Sequence, residues 1–224
     1  MSYGAYLLLL FSYNQGLFLK SLFFIFILLW TTLYAEPNKE NDYSARVFWG
    51  ASSASNLDKL YTFRGLNTSP YKTNVYGVDL GYKLAENIFD LPFDFYAKGG
   101  INYFDENYHQ DNFLEAVIGI KLIYKLNAFS NQFRLGFMEG WSYAGAIPWT
   151  EKQEAIKEHD NQSQFLNYLE LTFDFDIGKL VRVKSMQNYF VGYLIKHRSG
   201  VHGLYNGVKN GGSNYNCIYV QRNF

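Results

Sequence analysis

Residues 165–176 read FLNYLELTFDFD, and their alternation decides the fold. Phe165, Asn167, Leu169, Leu171, Phe173 and Phe175 form one face of an extended chain. Leu166, Tyr168, Glu170, Thr172, Asp174 and Asp176 form the other. Period two belongs to a β-strand, because successive side chains leave on opposite sides of the backbone. One face is mostly apolar and the other carries carboxylates, so the strand separates two media. Its length exceeds the ~5–6 residues usual in soluble strands and suits the roughly 9–11 residues that a tilted strand needs to cross a bilayer.

The same pattern recurs along the chain. Leu114, Ala116, Ile118, Ile120, Leu122, Tyr124 and Leu126 alternate with a set containing Glu115, Lys121 and Lys125. Tyr76, Val78, Leu80, Tyr82 and Leu84 oppose Gly77, Asp79, Gly81 and Lys83. Phe93, Phe95, Ala97 and Ile101 oppose Asp94, Lys98 and Asn102. Eight such runs are expected, at about 44–52, 72–84, 92–104, 113–126, 132–144, 165–177, 188–200 and 214–224. An even number of long strands with one apolar face predicts an all-β fold, an eight-stranded antiparallel transmembrane barrel of the outer-membrane type. Closure is compulsory there, because lipid cannot satisfy an open sheet edge.

The connections point the same way. With the first strand starting in the periplasm, the links near 85–91, 127–131 and 178–187 are periplasmic. The outer links, near 53–71, 105–112, 145–164 and 201–213, are longer on average, which is the asymmetry of such barrels. The chain ends in Phe224 after Ile218 and Val220, a pattern similar to the C-terminal assembly signal of bacterial outer-membrane proteins. Arg222 breaks that alternation and is expected to snorkel to the periplasmic interface.

Composition narrows the function classes. The 224 residues carry 20 Lys and Arg against 20 Asp and Glu, so net charge supplies no footprint for nucleic acid. Tyr and Phe contribute 20 residues each, with 19 glycines and four prolines, as expected of many strands joined by tight turns. Lys20 precedes SLFFIFILLWTTLYA, an apolar core ending in Ala35 before the polar EPNKEND. This reads as a cleaved secretory signal peptide over residues 1–35 with an extended start. A single transmembrane helix is the rival, disfavoured because the apolar core is shorter than a spanning helix. Residues 36–43 are then a short periplasmic segment and 44–224 the barrel. With only Cys217, the chain is expected to be exported without a disulfide framework or a lipoprotein anchor. A soluble lipocalin-type barrel would turn its apolar face inward. The mixed charges of Asp79, Lys83, Asp94, Lys98, Glu115, Lys121, Arg134, Glu170 and Asp174 instead suit a narrow lumen filled by ion pairs, with no aqueous pore.

The seventh run, YFVGYLIKHRSG from Tyr189, sorts into Tyr189, Val191, Tyr193, Ile195, His197 and Ser199 against Phe190, Gly192, Leu194, Lys196, Arg198 and Gly200. By barrel logic the first set faces lipid, near the extracellular end of an upward strand. A substrate reaching His197 and Ser199 there is a lipid. Serine beside histidine is the minimal nucleophile and base for acyl transfer, although the same pair also serves as ordinary interfacial residues at a strand end. An acid is needed to orient the histidine. The fifth run, FRLGFMEGWSYAG, places Glu139 in an apolar row with Phe133, Leu135, Phe137 and Trp141, unless a local bulge returns it to the lumen. One strand intervenes, so the strand centres are ~9.6 Å apart.

An eight-stranded barrel with His-x-Ser on the outer wall of its seventh strand, then a Gly/Asn-rich loop and a final strand, resembles the PagL-type lipid A 3-O-deacylases. The resemblance rests specifically on residues 189–224. It implies that His197 is the base and Ser199 the nucleophile, hydrolysing the ester-linked acyl chain at the 3-position of lipid A. In that family the serine is typically followed by Asn; here Gly200 follows. The family's glutamate falls in a Gly-Glu-Asn context, where NGGSNY places Ser213 between Gly212 and Asn214. No acid occurs after Ser199, so Glu139 is the candidate substitute.

His109, His159 and His202 have no metal-ligand spacing, and no metal or cofactor is expected. The stretch EKQEAIKEHDNQSQ, 151–164, is expected as a solvated outer loop, with a short surface helix as the alternative. Residues 206–214 are expected as a flexible loop able to cradle a lipid A phosphate through backbone N–H groups. The expectation is an enzyme in the outer membrane of a Gram-negative bacterium, with lipopolysaccharide and outer-membrane lipids as substrate or neighbours. The rivals are a non-catalytic structural or adhesion barrel working through its outer loops, and a narrow solute channel.

Overall fold

The computed structural model describes residues 41–55, 59, 67–209 and 211–224. The expected signal peptide and most of the periplasmic segment lie outside these residues. Eight antiparallel strands close into one barrel in sequence order. They are β1 (Tyr43–Ser52), β2 (Asn74–Ala85), β3 (Phe93–Asp105), β4 (Phe113–Ala128), β5 (Asn131–Ala144), β6 (Phe165–Asp176), β7 (Tyr189–Ser199) and β8 (Gly212–Asn223). Each lies within two residues of the run expected from alternation. The described residues also form two α-helices, α1 (Trp149–Glu158) between β5 and β6 and α2 (Ile177–Val181) after β6, and short 3-10 turns at Ile88–Asp90 and Lys184–Met186. Among the described residues no helix is long and apolar enough to cross a membrane; the crossing is made by strands.

The seam is closed by β1 and β8, which pair from Ser44↔Asn223 to Ser52↔Tyr215. Tyr43 and Phe224 exchange backbone N–H···O bonds of 2.9 Å beyond that ladder, and their rings stack at 6.2 Å. The terminal residue therefore completes the last rung, and no edge is left in lipid.

The outer face is the apolar one. Leu80, Ile118 and Ile218 are 67%, 62% and 60% exposed, a distribution stable only against lipid. Aromatic side chains gather at both ends of this band. Tyr43, Tyr82 and Phe133 lie toward the chain termini, and Trp49, Tyr76, Tyr103, Trp141 and Tyr143 toward the long loops. Arg222 sits 5.2 Å from the Tyr189 ring near the terminal end, as expected of a snorkelling cation.

The lumen holds paired charge. Arg46 donates from Nε to Asp79 at 2.6 Å and from Nη1 and Nη2 to Glu170 at 2.7 and 2.6 Å. Lys121 reaches Glu170 at 2.7 Å, Lys98 reaches Asp79 at 2.6 Å, and Arg134 grips Asp174 at 2.7 and 2.9 Å. Desolvating these ions is costly, and opposite charge with additional hydrogen bonds offsets the cost. Only about 10 Å³ of void remains between Arg46, Phe48, Asp79, Lys98 and Tyr168. That space is the size of one water, so this part of the lumen is a plug rather than a conduit.

Candidate functional site on the outer wall

Strand β7 carries its residues as alternation requires. Lys196 and Arg198 are fully buried inside, with Lys196 Nζ 2.9 Å from Glu115. His197 and Ser199 lie on the outward face between them and are half-buried. The pairing of β7 with β8 sets His197 opposite Asn214, and Ser199 opposite Gly212 at the last rung of the ladder.

His197 Nδ1 lies 2.7 Å from Asn214 Oδ1. The amide nitrogen of Asn214 is already committed, donating to the Ser55 carbonyl at 3.0 Å. The amide oxygen must therefore accept, and the neutral imidazole carries its proton on Nδ1. Nε2 then carries the lone pair and is the atom able to take a proton; the ring also hydrogen-bonds to the Ser213 backbone. Ser199 Oγ makes no hydrogen bond among the described residues. Two residues along one strand face, it lies roughly 6.6 Å from His197 in backbone spacing.

Glu139 does face outward and is exposed. It pairs with Leu169 on β6, which in turn pairs with His197, so an apolar side chain stands between the two on the same face. Among the described residues Glu139 has no hydrogen bond or ion pair. The structure does not join it to His197, whose Nδ1 is occupied by Asn214. The Ser213 side chain is not brought to the histidine either, although the residue's backbone hydrogen-bonds to the ring. It is buried on the lumen side and donates from Oγ to Glu151 Oε1 at 2.6 Å. Parity is the reason: neighbours on a strand face opposite ways, so position 213 points inward and 214 outward.

Gly200 tolerates no side chain in this conformation, because a Cβ there would collide with the Val208 carbonyl oxygen. The close return of the β7–β8 loop accounts for glycine following Ser199. That loop is also tied down. Asp160 accepts backbone hydrogen bonds from Lys209 (2.8 Å) and Gly211 (2.9 Å), so these N–H groups already hold an anion and do not offer a phosphate cradle. Tyr205 packs on Phe165 and accepts from Trp141 Nε1 at 3.1 Å, bringing the loop down over the outer wall.

Toward the barrel middle from His197, the outer wall is concave. A groove of about 390 Å³ is lined by Ile195, Leu171, Phe137 and Leu122 in one cross-strand row, and by Tyr193, Phe173, Leu135 and Tyr124 in the next. Its volume lies within the ~300–1,000 Å³ usual for ligand sites, and its lining is apolar.

The loop at 145–164 departs from expectation. Residues Trp149–Glu158 form α1, whose Glu151 is buried in the barrel mouth rather than solvated. Trp149 stacks on His109 at 5.3 Å, and its backbone N–H donates to Glu106 at 2.9 Å. Burial pushes the Glu106 and Glu154 carboxyls up to about 7, and raises that of Glu151. Among the described residues no group of three or more His, Cys, Asp or Glu is arranged to hold a metal.

Sequence reasoning missed Asn214 and Glu151. Asn214 stands in the quoted NGGSNY stretch, but its pairing with His197 depends on the β7–β8 register. Glu151 had no signal beyond an acidic residue in the first turn of a short amphipathic segment.

No family model and no curated protein matches the chain in sequence. Among solved structures the fold is similar to the crystal structure of the outer membrane enzyme PagL, at 10% identity and TM-score 0.51, covering 81% of this chain and 99% of that one. Weaker likenesses are Neisserial surface protein A (18% identity, TM-score 0.45, 81% of this chain and 96% of that one) and the N-terminal β-barrel domain of Pseudomonas aeruginosa OprF (11%, 0.41, 83% and 100%). The likeness to PagL and the apolar exterior agree on the fold: the chain is a closed eight-stranded β-barrel of the outer-membrane type.

Proposed function

We propose that the barrel is an outer-membrane esterase that removes an ester-linked acyl chain from lipid A. The reading is carried by one observation: an oriented imidazole and an unengaged serine share the lipid-facing wall beside an apolar groove. Ser199 Oγ attacks the ester carbonyl carbon while His197 Nε2 takes the hydroxyl proton. Collapse of the tetrahedral intermediate expels the sugar oxygen, which receives that proton, and leaves an acyl-serine. Water, deprotonated by the same imidazole, releases the fatty acid and restores Ser199. Asn214 holds the ring in the tautomer this sequence requires, a role for which an amide oxygen suffices because the neutral ring donates to it. Glu139 stands outside the triad. The groove beneath His197 seats the acyl chain, and lipid A arrives by lateral diffusion, so no pore is needed.

A second reading, a non-catalytic barrel acting through its outer loops, is favoured by the absence of a carboxylate at His197 among the described residues. Mass spectrometry of lipid A from cells with and without the gene separates the two. Loss of one acyl chain only when the protein is present supports the esterase; an unchanged acyl pattern with the protein expressed rejects it.

A further inference from the structure

The wall that presents His197 and Asn214 to lipid is fastened from behind. We propose that Glu151, carried into the barrel mouth by α1, is a positioning residue that holds the His197–Asn214 pair in register from the lumen side. The inference rests on the esterase reading for its catalytic consequence but not for its structural one.

Arg198 pairs with Ser213 across β7 and β8, one rung beyond His197↔Asn214 and one before the ladder ends at Ser199↔Gly212. Strand ends open most easily, since few pairs beyond them resist separation. The outward pair sits on such an end. On the inner face, Glu151 contacts both members of the intervening rung: Ser213 Oγ donates to it at 2.6 Å, and Arg198 Nε lies 3.4 Å away. One carboxylate thus bridges the two strands at the rung next to the catalytic pair. Arg198 is anchored further, with Nε 3.5 Å from Glu115 and Nη2 donating to the Gln164 carbonyl at 3.1 Å. The bridge is therefore fixed to the lumen network on one side and to the β6 approach on the other. Glu151 is only 4% exposed, so water does not compete for these contacts. The parity that turns Ser213 away from the histidine is what makes it available to Glu151.

The test uses purified protein in detergent micelles, comparing wild type with Glu151→Ala, Glu151→Gln and Lys157→Ala, the last altering an exposed side chain on the same helix. Two readouts are taken: the ¹⁵N NMR signal of the His197 Nδ1–H, and kcat and KM on purified lipopolysaccharide. The clamp predicts that Glu151→Ala broadens or loses the Nδ1–H signal and lowers kcat about tenfold to a hundredfold at nearly constant KM. Glu151→Gln, which still accepts from Ser213, recovers part of both, and Lys157→Ala resembles wild type. A wild-type signal and kcat in Glu151→Ala overturn the proposal. If the alanine variant fails the heat-modifiability test for a folded barrel, Ser213→Ala decides by the same two readouts. If wild type hydrolyses no lipopolysaccharide, the esterase reading falls while the NMR arm still decides the clamp.

Discussion

The two faces of β7 carry polar side chains in four consecutive residues and treat them differently. Inside, Lys196 and Arg198 are surrounded by Glu115, Glu151 and backbone carbonyls, and they are wholly buried. Outside, His197 meets Asn214 through Nδ1 and the Ser213 backbone, and Ser199 Oγ has no hydrogen bond among the described residues. Inside the barrel, opposite charge offsets the cost of desolvation, although Arg198 Nε and Nη1 make no hydrogen bond there. Facing lipid, a polar group with spare hydrogen-bonding capacity is costly to keep, and that cost supports the proposal that the outer pair is the functional one.

The comparison breaks first at Ser199. Ser199→Ala is expected to lower acyl release about a thousandfold or more without altering the barrel's resistance to urea. Intact activity would return the outer pair to an interfacial role. Arg46→Ala should do the reverse, destabilising the barrel by about 3–5 kcal/mol, because Asp79 and Glu170 lose their shared cation in a buried site. Urea-dependent folding into lipid vesicles measures it, and a loss under 1 kcal/mol would mean that Lys98 and Lys121 suffice to compensate the two carboxylates. Asn214→Ala sharpens the outer side alone, with kcat about a hundredfold lower and a shifted pH profile, since the ring loses its fixed tautomer.

The mouth between the two faces gives a pH effect. Burial holds Glu106 up to about 7 against an ordinary 4.5, so the closed mouth keeps this proton where an open one releases it. Its stabilising contribution is complete below about 4.5 and is lost as pH rises through about 7. Limited proteolysis at α1 should therefore be faster at pH 8.5 than at pH 6 after correction for protease activity, and Glu106→Gln should flatten the difference. The smallest effect is expected from Glu139→Gln, less than about twofold on kcat, because Leu169 separates it from His197. A loss comparable with Asn214→Ala would restore Glu139 to the site.

The legibility of the molecule follows the reach of each interaction. Glu170 and Asp174 could be assigned to the lumen from FLNYLELTFDFD because facing direction is a property of neighbours in sequence. Their partners could not, since Arg46 lies 124 residues from Glu170. The outward placement of His197, Ser199 and Glu139 was readable by the same parity. The residue beside His197 was not readable: the missing acid drew attention to Glu139, while the hydrogen bond is made by Asn214, across a loop whose length sets the register.

By itself the sequence determined that eight amphipathic strands must close with their charged faces inward, because side-chain alternation is local and lipid forbids an open edge. It also determined that His197 and Ser199 share the outer wall. Only the tertiary structure decided which groups meet: Asn214 on the imidazole, Asp160 on the loop amides, Glu151 behind the rung next to His197. Those contacts depend on register and on the path of the loop between β5 and β6, which the β7–β8 pairing and the packing of α1 in the barrel mouth settle together.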